Sequence, residues 1–168
     1  CNIAKPDMGI ITNVFEAHLE FFGSISAVAK TKSALFRSLP KSGTAFINMD
    51  DKYISEMSVP CNRVEYSFSK KSTFQGQWHL EEQRLTINKA LIKLNISSYA
   101  LGMNALSVFS IASHLGMSSD LIIQQIESFQ TPSGRGNFID LGNIVIINDS
   151  YNSNLESARS GINNLISM

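Results

Sequence analysis

The chain has 168 residues, of which 43% are hydrophobic, so it is long and apolar enough to bury the core of one globular domain. Its formal net charge is zero, with no basic patch for nucleic acid or a membrane surface, and no apolar run approaches the roughly 20 residues of a membrane span. The two cysteines, Cys1 and Cys61, are too few for a disulfide scaffold and lack metal-ligand spacing, which predicts a protein of the reducing cytoplasm.

The first predicted element is a buried strand within the run MGIITNV, which begins at Met8. Its continuous apolar residues are typical of a parallel sheet that is covered on both faces. Polar side chains follow at the end of this strand, and they are Asn13, Glu16, His18 and Glu20. Ligand-handling residues of open α/β sheets occupy this position, so we expect a functional site here.

A helix is predicted at residues 24–39, with Ser24 as its N-cap and Pro40 just beyond its end. The apolar face of its helical wheel contains Ile25, Val28, Leu35, Phe36 and Leu39. Lys32 falls in the middle of this face, where burial would favour a neutral amine that can capture carbon dioxide as a carbamate. The alternative is that Lys32 extends along the helix and leaves its amine in solvent.

The run KSGTAFINMDD predicts a second buried strand, which completes a β-α-β unit with a right-handed crossover. We interpret Asn48 and Asp50 at its polar end as turn residues that cap a short helix at 52–57. Short runs with alternating patterns then predict an antiparallel β-meander over residues 63–96, attached to the parallel sheet. His79 lies inside the meander, and we interpret it as structural.

Two helices are predicted at residues 103–115 and 119–129, and His114 is interpreted as a cation near the C-terminal end of the first. After Pro132, the Gly134-Arg135-Gly136 turn presents an arginine that can clamp phosphate oxygens with two parallel hydrogen bonds. An apolar strand, NIVIIN, ends in the polar run DSYNSN. A final helix is predicted by the apolar stripe Leu155, Ala158, Ile162, Leu165 and Ile166.

Several of these runs together resemble the Mur ligases, the ATP-dependent amino-acid ligases of peptidoglycan synthesis. The runs are TNVFEAHLEFFGS, AKTKSALF, the Gly-Arg-Gly turn and DSYNSN. In looser form, the pattern also resembles folylpolyglutamate synthases. The resemblance implies an α/β fold, with a mostly parallel sheet flanked by helices and a small antiparallel β-meander. It assigns residues 1–148 to the later part of the ATP-binding middle domain, and residues 149–168 to the junction and first helix of the C-terminal ligase domain.

The resemblance also implies roles for individual residues, with ATP and magnesium as the cofactors. His18 would bind the magnesium ion and Lys32, as a carbamate, would help to hold it. Arg135 would meet the ATP phosphates as the cation of the transition state, and Asp149 would meet the ribose. Asn104 either contacts the adenine or only caps its helix, and both interpretations remain open.

Substrate contacts are assigned to polar side chains at the strand ends, namely Asn13, Tyr151, Asn152 and Asn154. The spelling DSYNSN resembles the family members that add D-alanyl-D-alanine to UDP-N-acetylmuramoyl-tripeptide through an acyl phosphate. The implied partners are therefore the UDP-muramoyl peptide, D-alanyl-D-alanine and the remaining domains of the same chain. The alternatives are another ligase of the superfamily and a nucleotide-binding module without catalysis.

The phosphate loop of the family, Gly-x-x-Gly-Lys followed by Thr or Ser, occurs nowhere in this sequence. The sequence also begins with Cys1 rather than with methionine. We therefore expect a fragment that folds at least in part but has no ATPase or ligase activity on its own.

Overall fold

The structure is a computed structural model that describes residues 3–15, 22–79, 82, 84–94, 98–153 and 155–166. The strands are β1 (Met8–Ile11), β2 (Thr44–Asn48), β3 (Asn62–Ser67), β4 (Phe74–His79), β5 (Arg84–Ile87), β6 (Ala90–Lys93), β7 (Asn137–Asp140) and β8 (Val145–Asn148). The helices are α1 (Ile25–Lys32), α2 (Ala34–Arg37), α3 (Lys52–Ser55), α4 (Tyr99–His114), α5 (Ser119–Ser128) and α6 (Leu155–Ile166).

A six-stranded sheet in the order β1-β2-β3-β4-β5-β6 forms the centre of the fold. Strands β1 to β4 pair in parallel, whereas β4, β5 and β6 pair antiparallel. A separate two-stranded antiparallel sheet is formed by β7 and β8. The predicted α/β class, with a mostly parallel sheet flanked by helices and a small antiparallel part, is confirmed.

The predicted start of the antiparallel meander at residue 63 is wrong, because β3 pairs in parallel with β2 from Asn62 to Tyr66. The antiparallel part begins only at β4. Parallel neighbours usually need a connection of a dozen or more residues, and the short interval between β3 and β4 therefore favoured a hairpin in the sequence. Only two residue pairs join these strands in parallel, Tyr66 with Phe74 and Ser67 with Gln75. The end of β3 thus pairs with the start of β4, and a short loop is enough to connect them.

The helix predicted at residues 24–39 begins as expected, since the side chain of Ser24 accepts a hydrogen bond from the N–H of Ala27. It is interrupted at Ser33, which separates α1 from α2. The Ser33 hydroxyl donates to the carbonyl of Lys30 at 2.7 Å, and such local bonds compete with regular helix geometry. The short helix α3 is capped by Asp51, not by Asn48 or Asp50.

Both faces of the parallel sheet are covered, and β2 illustrates how. Neighbouring residues of a strand point to opposite faces, so Phe46 faces one side while Ala45 and Ile47 face the other, and all three are buried. Phe46 belongs to the core under α4 and α5, whereas Ala45 and Ile47 belong to the core under α1 to α3. None of the helices in the described ranges is both long and apolar enough to cross a membrane.

Candidate functional site

The carboxyl ends of β1 and β2 are fixed to each other by side-chain hydrogen bonds. The Asn48 amide donates to the carbonyl of Thr12 at 2.9 Å, and the N–H of Val14 donates to the carboxylate of Asp51 at 2.6 Å. These bonds orient the segment that follows β1. The turn role predicted for Asn48 is confirmed, because its side-chain oxygen also accepts from the N–H of Asp50.

The amine of Lys32 reaches the same end of the sheet, where it donates to the carbonyl of Asn13 at 2.8 Å. The predicted burial of Lys32 is wrong, because this residue is exposed. The helical wheel treated residues 24–39 as one straight helix, whereas α1 ends at Lys32 and its side chain turns to the strand end. The structure therefore brings together the predicted metal-side lysine and Asn13, a predicted substrate residue.

His18, Glu16 and Glu20 lie outside the described residues, as does Asn154. Within the described ranges, no three His, Cys, Asp or Glu side chains are close enough to hold a metal ion together. The magnesium site that was assigned to His18 and Lys32 therefore stays a prediction.

Asp50 ties the end of β2 to the loop after β3, a role that the sequence did not predict. Its carboxylate accepts hydrogen bonds from the hydroxyls of Ser67 and Ser69 and from the N–H groups of Phe68 and Ser69. Burial alone would raise the pKa of Asp50, but these bonds outweigh it and hold the pKa below its ordinary value. The serine-rich run SFSKKS at the end of β3 offered several hydroxyls, but nothing in the sequence linked it to Asp50.

A second candidate site is a groove of about 310 Å³ between the start of α4, the β7–β8 sheet and α6. Its lining includes Asn104, Arg135 and Asp149, the three residues that the resemblance assigned to nucleotide contacts. They come from α4, from the turn before β7 and from the residue after β8. Residues far apart in the sequence thus meet at one concave surface.

Arg135 is presented by a turn that the backbone fixes tightly. Gly134 and Gly136 have φ angles of +79° and +74°, which glycine adopts without steric cost. The N–H of Gly136 donates to the carbonyl of Asn148 at 2.8 Å, and the N–H of Tyr151 donates to the carbonyl of Gly134 at 3.0 Å. Backbone hydrogen bonds on both sides of the arginine therefore hold the turn against the end of β8 and the residues after it.

The Arg135 guanidinium lies over the ring of Tyr151, with its carbon 4.1 Å from the ring centroid. Neither ion pair found within the described residues involves Arg135. A cation without a carboxylate partner at the edge of a groove is suited to bind an anionic group such as phosphate.

Asp149 directly follows β8 and is exposed, and its carboxylate lies beside α6. A Cβ atom placed on Gly161 would come within 3.6 Å of a carboxylate oxygen of Asp149. Asn104 lies inside α4, which Ser98 caps through a hydrogen bond to the N–H of Leu101. The interpretation of Asn104 as a helix cap is therefore wrong, and its exposed side chain lines the groove.

An apolar pocket of about 320 Å³ between α4 and α5 continues the groove. The two cavities share Leu101, Asn104, Phe129 and Thr131. None of the apolar groove residues was predicted from the sequence, although Phe129 carried a signal as an aromatic residue at the predicted end of a helix. The combined surface has an apolar end and an end with charged side chains of both signs.

Comparison with known proteins identifies the class. The family model of the Mur ligase middle domain matches residues 1–113, about two thirds of the sequence. The chain therefore belongs to the Mur ligase middle-domain family. Similar relatives are the UDP-N-acetylmuramoyl-tripeptide–D-alanyl-D-alanine ligases of Buchnera aphidicola, 30% identical over 96% of this chain, and of Escherichia coli, 26% identical over 99%.

Solved structures show the same fold. The MurF structure of Acinetobacter baumannii has a TM-score of 0.88 at 23% identity over 99% of this chain. The MurF ligase of Thermotoga maritima in complex with ADP has a TM-score of 0.85 at 24% identity over 99%. The chain spans only 38% of the Buchnera ligase and 40% of the Escherichia coli ligase.

Proposed function

We propose that the chain belongs to a longer cytoplasmic ligase that uses ATP to add D-alanyl-D-alanine to UDP-N-acetylmuramoyl-tripeptide through an acyl phosphate. Residues 1–148 would be the later part of its middle domain, and residues 149–168 the junction and first helix of its C-terminal domain. The similarity to D-alanyl-D-alanine ligases over 96% and 99% of this chain supports this assignment, as does the run DSYNSN. The missing phosphate loop would lie in another part of the longer protein.

The observation that carries the proposal is the meeting of Asn104, Arg135 and Asp149 in one groove. The Asn104 amide offers a donor and an acceptor to the edge of a base, and the Asp149 carboxylate can accept from ribose hydroxyls. Arg135 can clamp phosphate oxygens with two parallel hydrogen bonds. The cavity volume of about 310 Å³ also lies in the range of small-molecule sites.

The carboxyl end of β1 would form the metal and acyl-acceptor side of the site. There Lys32 would act as a carbamate with His18 to hold magnesium, and Asn13 would contact substrate. Tyr151, Asn152 and Asn154, which follow β8 in the sequence, would make the other substrate contacts. A bound magnesium ion would neutralise charge on the phosphate oxygens. The contact between the Lys32 amine and the Asn13 carbonyl supports the placement of this lysine beside the strand end.

The test is a ligation assay of the longer protein that contains this chain. Wild-type protein should release phosphate only with ATP, UDP-muramoyl tripeptide and D-alanyl-D-alanine together. Arg135→Ala should lower kcat more than it raises KM for ATP, because an arginine aimed at developing charge acts mainly in the transition state. Asp149→Ala should chiefly raise KM for ATP. Lys41→Ala, outside the groove, is the control.

Unchanged kinetics in both variants, with a loss of thermal stability alone, would reassign Arg135 and Asp149 as structural. Phosphate release by the isolated 168-residue chain would contradict the expected inactivity of the fragment.

The carbamate on Lys32 is tested by chemical rescue in the same protein. Lys32→Ala should abolish ligation, and short-chain carboxylic acids should restore part of it, because a carboxylate can stand in for the carbamate. Lys30→Ala is the matched control, since Lys30 also lies on α1 and is exposed. Full activity of Lys32→Ala, or loss and rescue in Lys30→Ala instead, would show that Lys32 is the wrong lysine.

A second candidate is a family member with a different amino-acid donor. A UDP-N-acetylmuramate–L-alanine ligase of Caldicellulosiruptor bescii is 27% identical over 88% of this chain. A donor panel in the same assay separates the two candidates, because only the first predicts a requirement for D-alanyl-D-alanine. A folylpolyglutamate synthase would need a folate acceptor, and a binding module would turn over none of these substrates.

A further inference from the structure

The stack between Arg135 and Tyr151 assigns a role to the tyrosine ring. We propose that Tyr151 is a positioning residue, whose ring holds the Arg135 guanidinium towards the groove before nucleotide arrives. This role rests on the proposed function, since it concerns the arginine that would meet the phosphates. It is separate from the substrate contact assigned above to Tyr151, which its hydroxyl could make independently.

Arg135 is next to both the tyrosine ring and the groove. Arg135 belongs to the described lining of the groove, whereas Tyr151 does not. The guanidinium carbon nevertheless lies 4.1 Å from the ring centroid, which is within the range of cation–π attraction. The arginine therefore contacts the ring while it lines the groove.

The backbone fixes the two residues relative to each other. The carbonyl of Gly134 accepts from the N–H of Tyr151 at 3.0 Å, so the residue before the arginine is bonded to the tyrosine itself. A Cβ atom on Gly134 would lie only 3.2 Å from that same nitrogen, which shows how closely the two segments approach. The backbone contact between the turn and the end of β8 therefore keeps Arg135 and Tyr151 close to each other.

A stack suits this task better than an ion pair would. Both side chains are exposed. An unsupported arginine would lose conformational entropy about several rotatable bonds when it binds phosphate. The ring attracts the cation without offering it a carboxylate oxygen, so the guanidinium N–H donors remain available for phosphate oxygens. A carboxylate partner would occupy those same donors. The ring thus lowers the entropic cost of binding without competing for the hydrogen bonds.

The test compares Tyr151→Phe with Tyr151→Leu in the longer ligase. Phenylalanine keeps the ring and removes the hydroxyl, whereas leucine keeps comparable apolar bulk and removes the π face. Tyr151→Leu should have a kcat about two- to fivefold below that of Tyr151→Phe, the order expected for loss of an exposed cation–π contact, because both variants lack the hydroxyl and only leucine lacks the ring. Thermal melts of both variants check that the fold is retained.

The decisive control is a double-variant cycle with Arg135→Ala. If the ring acts through the arginine, Tyr151→Leu should have no further effect on kcat once Arg135 is alanine. A direct readout is the NMR shift of the Arg135 side-chain N–H, which should move towards the value of a free arginine in Tyr151→Leu but not in Tyr151→Phe.

Three outcomes overturn the role while the wild-type protein remains an active ligase. They are equal activity of Tyr151→Leu and wild type, an equal loss in both tyrosine variants, and additive effects in the double variant. An equal loss in both variants would assign the function to the hydroxyl. A wild-type protein without donor-dependent ligation would overturn the proposed function itself, and this role with it.

Discussion

The two parts of the molecule that build the groove are packed very differently. In residues 3–128, helices cover a sheet whose central side chains are almost fully buried, such as Phe46 at 1% and Leu106 at 0% exposure. In residues 132–166, large apolar side chains are mostly open, such as Leu141 at 64% and Ile166 at 77%. Within the described ranges, no buried hydrophobic residue lies after Ile122.

This difference separates the sources of stability and of ligand contacts. Asn104 lies on α4, which is anchored in the core, whereas Arg135 and Asp149 lie on segments that hydrogen bonds hold in place. Variants of the open part should therefore change ligand handling with little loss of stability. Variants of the packed part should do the reverse, and the following substitutions test this contrast in order of expected effect.

The largest effect is expected for Phe46→Ala. Phe46 lies in the core under α4 and packs edge-on against His114, with ring centroids 5.4 Å apart. Its truncation should lower the free energy of unfolding by about 3–5 kcal/mol, because it removes apolar burial and leaves a cavity. Urea denaturation measures the loss. Phe138→Ala in the open hairpin is the matched control and should cost about 1 kcal/mol or less. Equal losses would contradict the contrast.

The next effect comes from adding a single methyl group to a glycine in each part. A Cβ atom on Gly76 would lie 2.6 Å from the ring of Phe68 and 3.1 Å from Leu106, so Gly76→Ala should destabilise by about 1–3 kcal/mol. A Cβ atom on Gly161 in α6 meets only Asp149, at 3.6 Å. Gly161→Ala should therefore stabilise by about 0.5 kcal/mol through its higher helix propensity. Thermal melts that showed the same sign for both variants would refute this prediction.

A smaller and pH-dependent effect is expected for Asp50→Asn. The folded-state pKa of Asp50 is held below its ordinary value by hydrogen bonds that outweigh burial. Its contribution is therefore fully present above the unfolded-state pKa and is lost as the pH falls through the lower folded-state pKa. We expect a loss of about 1 kcal/mol at pH 7, since the carboxylate is partly exposed and screened. At strongly acidic pH the difference from wild type should shrink.

The matched control is Asp140→Asn at the end of β7, where the carboxylate accepts one hydrogen bond from the N–H of Gly142. It should change stability less than Asp50→Asn at neutral pH. A difference between Asp50→Asn and wild type that stayed constant down to acidic pH would show that the carboxylate charge does not matter.

The sequence predicted what depends on local patterns. Continuous apolar runs identified β1 and β2, and Ser24 marked a helix start that its hydrogen bond to Ala27 confirms. The partners of β3 and the exposure of Lys32 could not be predicted this way. Strand pairing is decided by contacts distant in sequence, and a helical wheel cannot register a break at Ser33.

The sequence could predict which residues belong to the site, but not that they meet at one surface. Motif resemblance singled out Asn104, Arg135 and Asp149, yet their meeting in one groove depends on how α4, the turn before β7 and the end of β8 pack together. The stack of Arg135 on Tyr151 arises in the same way, from a turn and a strand end that hydrogen-bond to each other. Side chains that act together across such distances leave no periodic signal.

The smallest effect is expected on the apolar stripe of α6, where the comparison is sharpest. Leu165 is 61% exposed, so Leu165→Ser should change the free energy of unfolding of the 168-residue chain by no more than about 0.5 kcal/mol. Leu106→Ser, at a fully buried position, should destabilise by several kcal/mol, because it adds a hydroxyl to the core as well as a cavity. A large loss in Leu165→Ser would mean that α6 is packed more tightly than its exposure indicates.

The same substitution in the proposed longer ligase tests the proposed domain junction. If the apolar stripe of α6 packs against the next domain there, Leu165→Ser should destabilise that protein by more than it destabilises this chain. Equal losses in both proteins would contradict such a contact.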